Sequence, residues 1–235
     1  MKGWKRGCLL GITVLLLSSS AAEKAIRSSG TAEIPEETRY AAITFDDGPL
    51  RSTTARLLDG LRERGASATF FLVGERIAGN EDLVLRMKEE GHQVGNHSWS
   101  HVKLQGAAPE TIRREVDKTD QMLWDLLGEG TYWLRPPYGL LNESEKQLIH
   151  VPMVHWSVDP KDWEVLNKDI VVRTVLREVQ PGDIILLHDI YNTSVDAALA
   201  IVDALSEQGY WFVTVEELLE LKSIQPQAGR MYRSA

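Results

Sequence analysis

The chain has 235 residues, of which 43% are hydrophobic and 26% are charged, and its 18 glycines and 9 prolines are too few for a disordered or collagen-like protein. Its 34 acidic residues outnumber the 26 basic ones and give a net charge of −8, which argues against a nucleic-acid-binding protein, where basic residues are normally in excess. The single cysteine, Cys8, excludes a scaffold held together by disulfides, and a chain of this length can fold without one.

The first 25 residues are predicted to be a secretory signal peptide. Three basic residues precede a short apolar run at 8–17, and small residues at 18–25 offer a cleavage site. An uncleaved N-terminal anchor is the alternative, although the apolar run is shorter than the roughly 20 residues of a membrane span. Loss of residues 1–25 removes four basic residues and one acidic residue, so the net charge of −8 becomes −11. We therefore expect a secreted or cell-wall-associated protein that contacts no membrane once the signal is cleaved.

Beyond the signal, we expect a polar linker at 26–38, one domain at 39–221 and a loose polar tail at 222–235. Within the domain, short apolar runs alternate with segments of helical periodicity. The predicted strands lie at 40–45, 68–73, 92–95, 131–134, 153–158, 183–187 and 211–213. The predicted helices lie at 53–64, 81–90, 109–127, 143–149, 168–179, 194–207 and 215–221.

This alternation of strands and helices predicts an α/β fold in which helices cross over between parallel strands. About seven such units suit a small, distorted (β/α) barrel, complete or incomplete, and an open doubly wound sheet is the alternative. Polar clusters follow several predicted strands. This favours the barrel, because β/α barrels carry their chemistry at the C-terminal ends of the strands.

Two polar clusters contain the residue types of a metal centre. The adjacent Asp46 and Asp47 project to different sides, so one carboxylate can hold a metal while the other acts as a base. His97 and His101 are four residues apart, a spacing that brings two side chains onto one face of a helix. Together with Asp47 they would leave positions on a zinc ion open for water and substrate. The simpler alternatives are a strand-ending turn and two idle loop histidines.

Three further clusters follow later strands. Arg135 begins an Arg-Pro-Pro-Tyr-Gly segment, where its guanidinium could pair with a carboxylate. Asp162 belongs to an Asp-Pro-Lys-Asp-Trp segment. His188 emerges directly from an apolar strand, a position suited to a general acid or base. The alternatives for these three clusters are, in the same order, a rigid surface loop, an Asp-Pro turn and a hydrogen-bonded histidine at a strand end.

Taken together, the five clusters resemble the motifs of the polysaccharide deacetylases of carbohydrate esterase family four, the NodB-homology domain. The motifs occur in the family's order as T-F-D-D-G-P at 44–49, H-S-W-S-H at 97–101, R-P-P-Y at 135–138, D-P-K-D-W at 159–163 and L-L-H at 186–188. The resemblance runs from about residue 39 to residue 221, and no position that the family uses for chemistry departs from its pattern. It therefore implies a NodB-type barrel and an active enzyme.

The resemblance also implies a metal centre with a base beside it. Asp47, His97 and His101 would hold one divalent metal ion, with zinc expected and cobalt or another transition metal as the alternative. Asp46 would be the general base, and Arg135 would keep it ionised, because an adjacent cation lowers the pKa of a carboxyl group.

On the other side of the site, the resemblance implies an acid and a substrate pocket. His188 would be the general acid, oriented and polarised by Asp162, and the backbone N–H of Tyr138 would complete an oxyanion hole. A small apolar slot would receive the acetyl methyl group. The substrate-binding residues would be Leu186, Trp163, Tyr138 and Pro137.

The expected reaction is hydrolysis of the N-acetyl groups of N-acetylglucosamine units in an extracellular polysaccharide. Peptidoglycan is preferred over chitin oligomers because export and a single domain suit a cell-wall substrate. An O-deacetylase acting on acetyl-xylan and a non-catalytic wall-binding protein are the alternatives. We expect a monomer whose partner is the polysaccharide substrate, with no nucleic acid.

Several aromatic residues have two interpretations. Trp99, Tyr138, Trp163 and Tyr191 lie beside motifs, where they could stack on sugar rings or pack against the protein. Trp124 and Trp211 lie inside predicted elements, and we expect them in the core.

Overall fold

Parallel strands dominate residues 38–235, the part of the chain that the structure, a computed structural model, describes. In chain order the strands of this part are β1 (Arg39–Asp46), β2 (Thr69–Leu72), β3 (Gln93–Asn96), β4 (Met153–Val154), β5 (Ile184–His188), β6 (Tyr210–Phe212) and β7 (Met231–Tyr232). The main sheet has the order β3-β2-β1-β5, and β6 pairs with the start of β1. A second sheet consists of β4 and β7. The predicted signal peptide, and the predicted linker up to residue 37, lie outside the described residues.

Helices connect the strands. Those of the described part are α1 (Arg51–Arg64), α2 (Glu81–Glu89), α3 (Pro109–Leu127), α4 (Glu143–Lys146), α5 (Asp162–Val165), α6 (Lys168–Glu178), α7 (Asn192–Glu207) and α8 (Val215–Leu221). Two 3₁₀ turns occur at Gly74–Arg76 and Pro137–Gly139. Within residues 38–235, no helix combines the length and the apolar character that crossing a membrane requires.

The core lies where the apolar faces of these helices meet the sheet. Six of the eight residues of β1 are buried, as expected for a parallel strand that is covered on both faces. α1 buries Leu57, Leu58 and Leu61 against this core, and full burial of one such side chain contributes about 1.5–3 kcal/mol. The helix ends at Gly65, whose left-handed backbone (φ 62°) suits a residue without a side chain.

The predicted α/β fold with a parallel sheet is confirmed, and its barrel-like side is irregular. Single parallel bridges join Asn96 to Leu134, Leu134 to Met153, and Val158 to Ile185. The predicted strand at 131–134 is thus reduced to one bridging residue, Leu134, because the prolines that follow at 136 and 137 have no N–H group to donate to a ladder. The four-residue helix α5 was not predicted.

The prediction of a loose C-terminal tail is wrong. β7 lies within this tail and pairs with β4. The ring of Tyr232 is buried beside Trp133, with 6.5 Å between the ring centroids, and the N–H of Ala235 donates a hydrogen bond to the carbonyl of Gly182 at 2.9 Å. The pairing with β4 and the contact between Tyr232 and Trp133 therefore hold the otherwise polar tail against the domain.

Candidate functional site

The C-terminal ends of neighbouring strands bring the predicted site residues together. Asp46 ends β1 and His188 ends β5, and the two residues are direct partners in the parallel register. His97 follows β3, which lies on the other side of β2. Arg135 comes one residue after the bridge between Leu134 and Asn96, so it joins the same edge.

Asp46 is a buried carboxylate with a fixed counter-charge. Its Oδ1 accepts a hydrogen bond from Nη1 of Arg135 at 2.7 Å, and its Oδ2 lies 3.6 Å from Nε2 of His97. Burial disfavours the ionised form, but the charge of Arg135, followed by the imidazoles of His97 and His188, outweighs it and holds the pKa of Asp46 below its usual value. Asp46 is therefore ionised and unprotonated at neutral pH.

Arg135 is completely buried and held from several sides. Besides Asp46, its Nη1 donates to Oγ1 of Thr44 at 2.7 Å, and its Nη2 donates to the carbonyl of His155 at 2.9 Å. The guanidinium carbon also lies 4.2 Å from the ring centroid of Phe71. These contacts give the arginine a single position, and with it the orientation of Asp46.

Asp47, His97 and His101 form a set of potential metal ligands. One ligand atom from each lies within 4.8 Å of the others. Oδ1 of Asp47 is 3.2 Å from Nε2 of His101 and 3.6 Å from Nε2 of His97, and this buried oxygen has no hydrogen-bond partner among the described residues. Nδ1 of His97 donates to the carbonyl of Arg135 at 2.6 Å, which leaves Nε2 free to bind a metal. The donor set and its geometry fit a divalent transition metal.

The two histidines meet in a loop, so the prediction that they share a helical face is wrong. No helix includes residues 97–101, and Ser98 and His101 have left-handed backbone angles of φ 64° and 58°. Oδ1 of Asn96 accepts from the N–H of Ser98 at 2.7 Å, and Oγ of Ser98 accepts from the N–H of His101 at 3.1 Å. These local hydrogen bonds, rather than a helical turn, bring the rings to a centroid distance of 4.9 Å.

His188 and Asp162 form a second charged pair, at the strand end beside Asp46. Nδ1 of His188 lies 2.8 Å from Oδ1 of Asp162, whose side chain is completely buried. Burial disfavours the imidazolium, but the hydrogen bond and the charge of Asp162, with smaller contributions from Asp46 and Asp47, raise the pKa of His188 to about 9. The imidazole is therefore a proton donor at neutral pH. A bound dication would lower this pKa, because it adds positive charge to the site.

The predicted substrate-binding residues lie at different depths. Tyr138 is 58% exposed, has a left-handed backbone (φ 62°) and places its ring edge-on to His101, with 5.1 Å between the ring centroids. Trp163 is 48% exposed on α5, directly after Asp162. Leu186 and Pro137 are buried. An apolar floor and two exposed rings are thus available near the charged groups.

The expectation that Trp124 and Trp211 lie in the core is wrong. Trp124 is 42% exposed, and its indole N–H donates to the carbonyl of Gly130 at 2.8 Å at the protein surface. Trp211 is 58% exposed because it is the outward-facing member of the buried–exposed–buried pattern of β6. By contrast, Trp99 is half-buried, and its ring lies 3.6 Å from Nζ of Lys118.

Sequence reasoning missed several residues that hold the site in place. Thr44 and His155 supply acceptors for Arg135, and Asn96 holds the histidine loop. Glu115 is buried on α3, and its Oε2 accepts from both the N–H and the Oγ of Ser100. Thr44 and Asn96 could have been found, because each adjoins or belongs to a motif, whereas nothing in the local pattern marks His155 or Glu115.

Asp189 is a further buried acid that the sequence left without a role. Its Oδ2 accepts a hydrogen bond from Oγ1 of Thr54, and burial raises the pKa of Asp189 to about 7. Its carboxyl group occupies the space that a Cβ at position 48 would need, so Gly48 is required for the close approach of the Asp-Asp-Gly-Pro turn to β5. Asp189 therefore packs under the turn that carries the base and the first metal ligand.

Comparison with known proteins identifies relatives with named activities. The family model described as polysaccharide deacetylase matches residues 33–150. The chain is 39% identical over 202 residues to the peptidoglycan-N-acetylglucosamine deacetylase PgdA of Listeria monocytogenes, a match that covers 85% of this chain and 43% of the relative. It is 40% identical over 184 residues to the peptidoglycan-N-acetylmuramic acid deacetylase PdaC of Bacillus subtilis, which covers 78% of this chain and 39% of the relative. The chain thus spans less than half the length of either curated relative.

A solved structure supports the same relationship. The family 4 acetyl xylan esterase from Clostridium thermocellum, determined with a cobalt ion, superposes with a TM-score of 0.80 at 32% identity and covers 84% of this chain and 99% of that one. The fold, the ordered motifs and the family match agree with one another. The chain belongs to the polysaccharide deacetylase family, carbohydrate esterase family four.

Proposed function

We propose that this chain is an exported, metal-dependent hydrolase that removes N-acetyl groups from N-acetylglucosamine units of peptidoglycan. The observation that carries the proposal is the placement of Asp46 and His188 at neighbouring strand ends beside a set of three potential metal ligands. Binding alone would require neither a buried ionised base nor a protonated imidazole. The arrangement therefore favours hydrolysis over a non-catalytic wall-binding role.

Asp47, His97 and His101 would hold the metal, for which we propose zinc, with cobalt as the alternative. When bound there, a divalent ion supplies Lewis acidity toward the acetyl carbonyl and the attacking water. The chain's own side chains and backbone would transfer the protons and position the substrate.

Asp46 would accept the proton of the attacking water. Arg135 keeps this carboxylate ionised and fixes its orientation, so it is ready to accept a proton at neutral pH. A positioned base of this kind typically contributes about 10²–10⁴-fold to the rate.

His188 would deliver a proton to the leaving nitrogen. An amine leaves an acyl carbon only when it is protonated, and the imidazolium that Asp162 stabilises is a proton source at that point. Nε2 is the donor atom, because Nδ1 is engaged with Asp162. Acetate and a glucosamine unit are the products.

Two further groups would position the acetyl group. The backbone N–H of Tyr138 would donate to the developing oxyanion, a contribution typically worth about 10²–10³-fold in rate. Leu186 and Trp163 would line the slot for the methyl group, and the exposed rings of Tyr138 and Trp163 are available to a sugar.

The choice of peptidoglycan is supported by the names of the two relatives and by the predicted export of the chain. Their names differ in the sugar, N-acetylglucosamine in one and N-acetylmuramic acid in the other. O-deacetylation of xylan is the second candidate, because a structure with a TM-score of 0.80 is an acetyl xylan esterase.

The test is acetate release by the 235-residue protein after its metal has been stripped and replaced by zinc or cobalt. Peptidoglycan, chitin oligomers and acetyl-xylan are compared side by side, and mass spectrometry of digested peptidoglycan identifies the deacetylated sugar. We expect metal-dependent release from peptidoglycan at N-acetylglucosamine. Release only from acetyl-xylan would establish the second candidate, and metal binding without release from any of the three would contradict the proposal.

A further inference from the structure

A short turn after β2 lies between the two segments that carry the potential metal ligands. In the sheet order β3-β2-β1-β5, β2 separates β1, which ends at the Asp46-Asp47 pair, from β3, which leads into the histidine loop. Asp46 pairs with Phe71, and Leu72 pairs with Asn96. The residues that follow Leu72, which we call the 73–76 turn, therefore emerge between these segments.

Every residue of the 73–76 turn contacts one of the two segments. The N–H of Val73 donates to the carbonyl of Gly48 at 3.0 Å, and Nη1 of Arg76 donates to the carbonyl of Asp47 at 2.6 Å. In the other direction, the N–H groups at 74 and 75 donate to the carbonyls of Ser98 and Trp99, both at 3.0 Å. Four hydrogen bonds thus connect the aspartate turn and the histidine loop to the same four residues.

Gly74 allows the histidine loop to come this close. A Cβ at this position would lie 2.6 Å from Cε3 of Trp99 and 2.5 Å from Oγ1 of Thr119. Trp99 lies midway between the two histidines in the sequence, so any shift of its ring away from position 74 would move the loop that carries both of them.

The tied segments have strained backbones that need such support. Asp47, Ser98 and His101 all have left-handed angles, with φ of 73°, 64° and 58°. Conformations of this kind persist only where the surroundings hold them. The carbonyls that accept from the 73–76 turn belong to Asp47 and Ser98 themselves or to the residues next to them.

We infer that the 73–76 turn is a positioning element of the metal centre, which sets the spacing between Asp47 and the two histidines, and that Arg76 is its positioning side chain. The inference rests on the metal centre of the proposed function, but not on the identity of the substrate. Arg76 is exposed, so its removal should alter the ligand geometry without emptying the core.

Arg76→Ala and a matched control test the inference. Arg51 is the control, because it is also exposed and also donates to a backbone carbonyl, that of Gly79, while its other partner is Asp82. Zinc affinity of the metal-free full-length protein is measured by calorimetry, which requires no catalysis. We expect Arg76→Ala to bind zinc about 10–100-fold more weakly than wild type, the usual effect of losing a residue that supports metal ligands. Arg51→Ala should bind as wild type.

Two more variants separate positioning from general damage. Arg76→Lys, which can still donate to the carbonyl of Asp47, should recover part of the lost affinity. Gly74→Ala should weaken zinc binding through Trp99, and thermal denaturation of each metal-free variant shows whether it is folded. Wild-type zinc affinity in folded Arg76→Ala would overturn the inference.

The outcomes for the wild-type protein separate this inference from the proposed function. Zinc binding without deacetylation of any substrate would contradict only the proposed function. A wild-type protein that binds no divalent metal would overturn the metal centre, and the positioning role with it.

Discussion

Asp162 accepts two hydrogen bonds from His188, one from the ring Nδ1 at 2.8 Å and one from the backbone N–H at 2.8 Å. Both oxygens of one buried carboxylate are thus committed to one residue. The ring contact raises the pKa of the imidazole, and the backbone contact fixes the position from which the ring extends. Charge and orientation of the proposed acid therefore depend on the same side chain.

Asp162→Asn should move the alkaline limb of the pH–rate profile to lower pH. The acid works in its protonated form, so activity falls as pH rises through the pKa of His188, which is about 9 without metal and lower with it. Without the Asp162 carboxylate, burial is opposed only by the smaller contributions of Asp46 and Asp47, so the pKa of His188 falls. The measurement is kcat/KM against pH, with Asp203→Asn, a change in an exposed ion pair with Arg64, as the control. An unchanged alkaline limb in Asp162→Asn would show that His188 is not the acid.

His188→Ala should harm amide hydrolysis more than ester hydrolysis. An amine must be protonated to leave, whereas an alcohol is a far better leaving group, so loss of the acid should slow release from an N-acetyl sugar by about 10²–10⁴-fold and release from an O-acetyl ester by less. Acetate release from the two substrate types is compared at equal zinc occupancy. An equal loss of rate on the amide and the ester would show that His188 acts in a step other than protonation of the leaving group.

Arg135→Met should destabilise the protein strongly because it leaves the buried Asp46 carboxylate without a counter-charge. Breaking a buried ion pair from one side typically costs about 3–5 kcal/mol, whereas an exposed pair contributes about 0–1 kcal/mol. Urea denaturation of the metal-free protein measures the difference, with Arg64→Met, from the more exposed pair with Asp203, as the control. The double variant Arg135→Met/Asp46→Asn should recover part of the lost stability, since no unpaired charge remains. No recovery in the double variant would mean that packing, not charge, accounts for the cost.

His92 should make the fold sensitive to acid. Its Nδ1 accepts from the N–H of Ala68 at 3.1 Å, and burial lowers the pKa of His92 to about 4, against 6.5 in an exposed histidine. Between these values His92 is protonated in the unfolded chain and neutral in the folded one, so its contribution lowers the stability as pH decreases from 6.5 to 4, by up to about 3 kcal/mol.

Urea denaturation of the metal-free protein between pH 4 and 7 tests this. His92→Gln should lose less stability than wild type as pH decreases from 6.5 to 4, because glutamine can accept the same hydrogen bond and does not titrate. His150→Gln, at an exposed position, should leave the dependence as in wild type. Parallel curves for His92→Gln and wild type would exclude His92 as the source.

The strand ends of the site could be predicted from the sequence, but the supporting residues that lie outside the motifs could not. The apolar run of β1 and the carboxylates that follow it form a local pattern. The geometry of a parallel sheet then places the residues that follow each strand at the same edge. The contacts of Arg76, Glu115 and His155 join segments 15 to 29 residues apart, and they leave no periodicity to detect. Even the two histidines meet for a reason different from the one predicted, since left-handed backbone angles and side-chain hydrogen bonds replace the expected helical turn.

The two exposed tryptophans show that the sequence also does not determine whether a large side chain is buried. Periodicity identified the helix of Trp124 and the strand of Trp211, but the face on which a large side chain lies depends on what the rest of the fold places there. In α3 the indole finds a carbonyl at the surface, and in β6 the alternation puts the ring outside.

The C-terminal strand β7 lies outside the motifs but is linked by hydrogen bonds, through His155 and Arg135, to the proposed base Asp46. The carbonyl of Tyr232 accepts from the N–H of His155 at 2.7 Å, and the carbonyl of His155 accepts from Arg135 at 2.9 Å. A protein shortened to residue 221 would keep all five motifs and lose the strand that steadies the acceptor of its buried arginine. Loss of function on trimming would then come from a base that is poorly oriented, although every residue of the chemistry is still present.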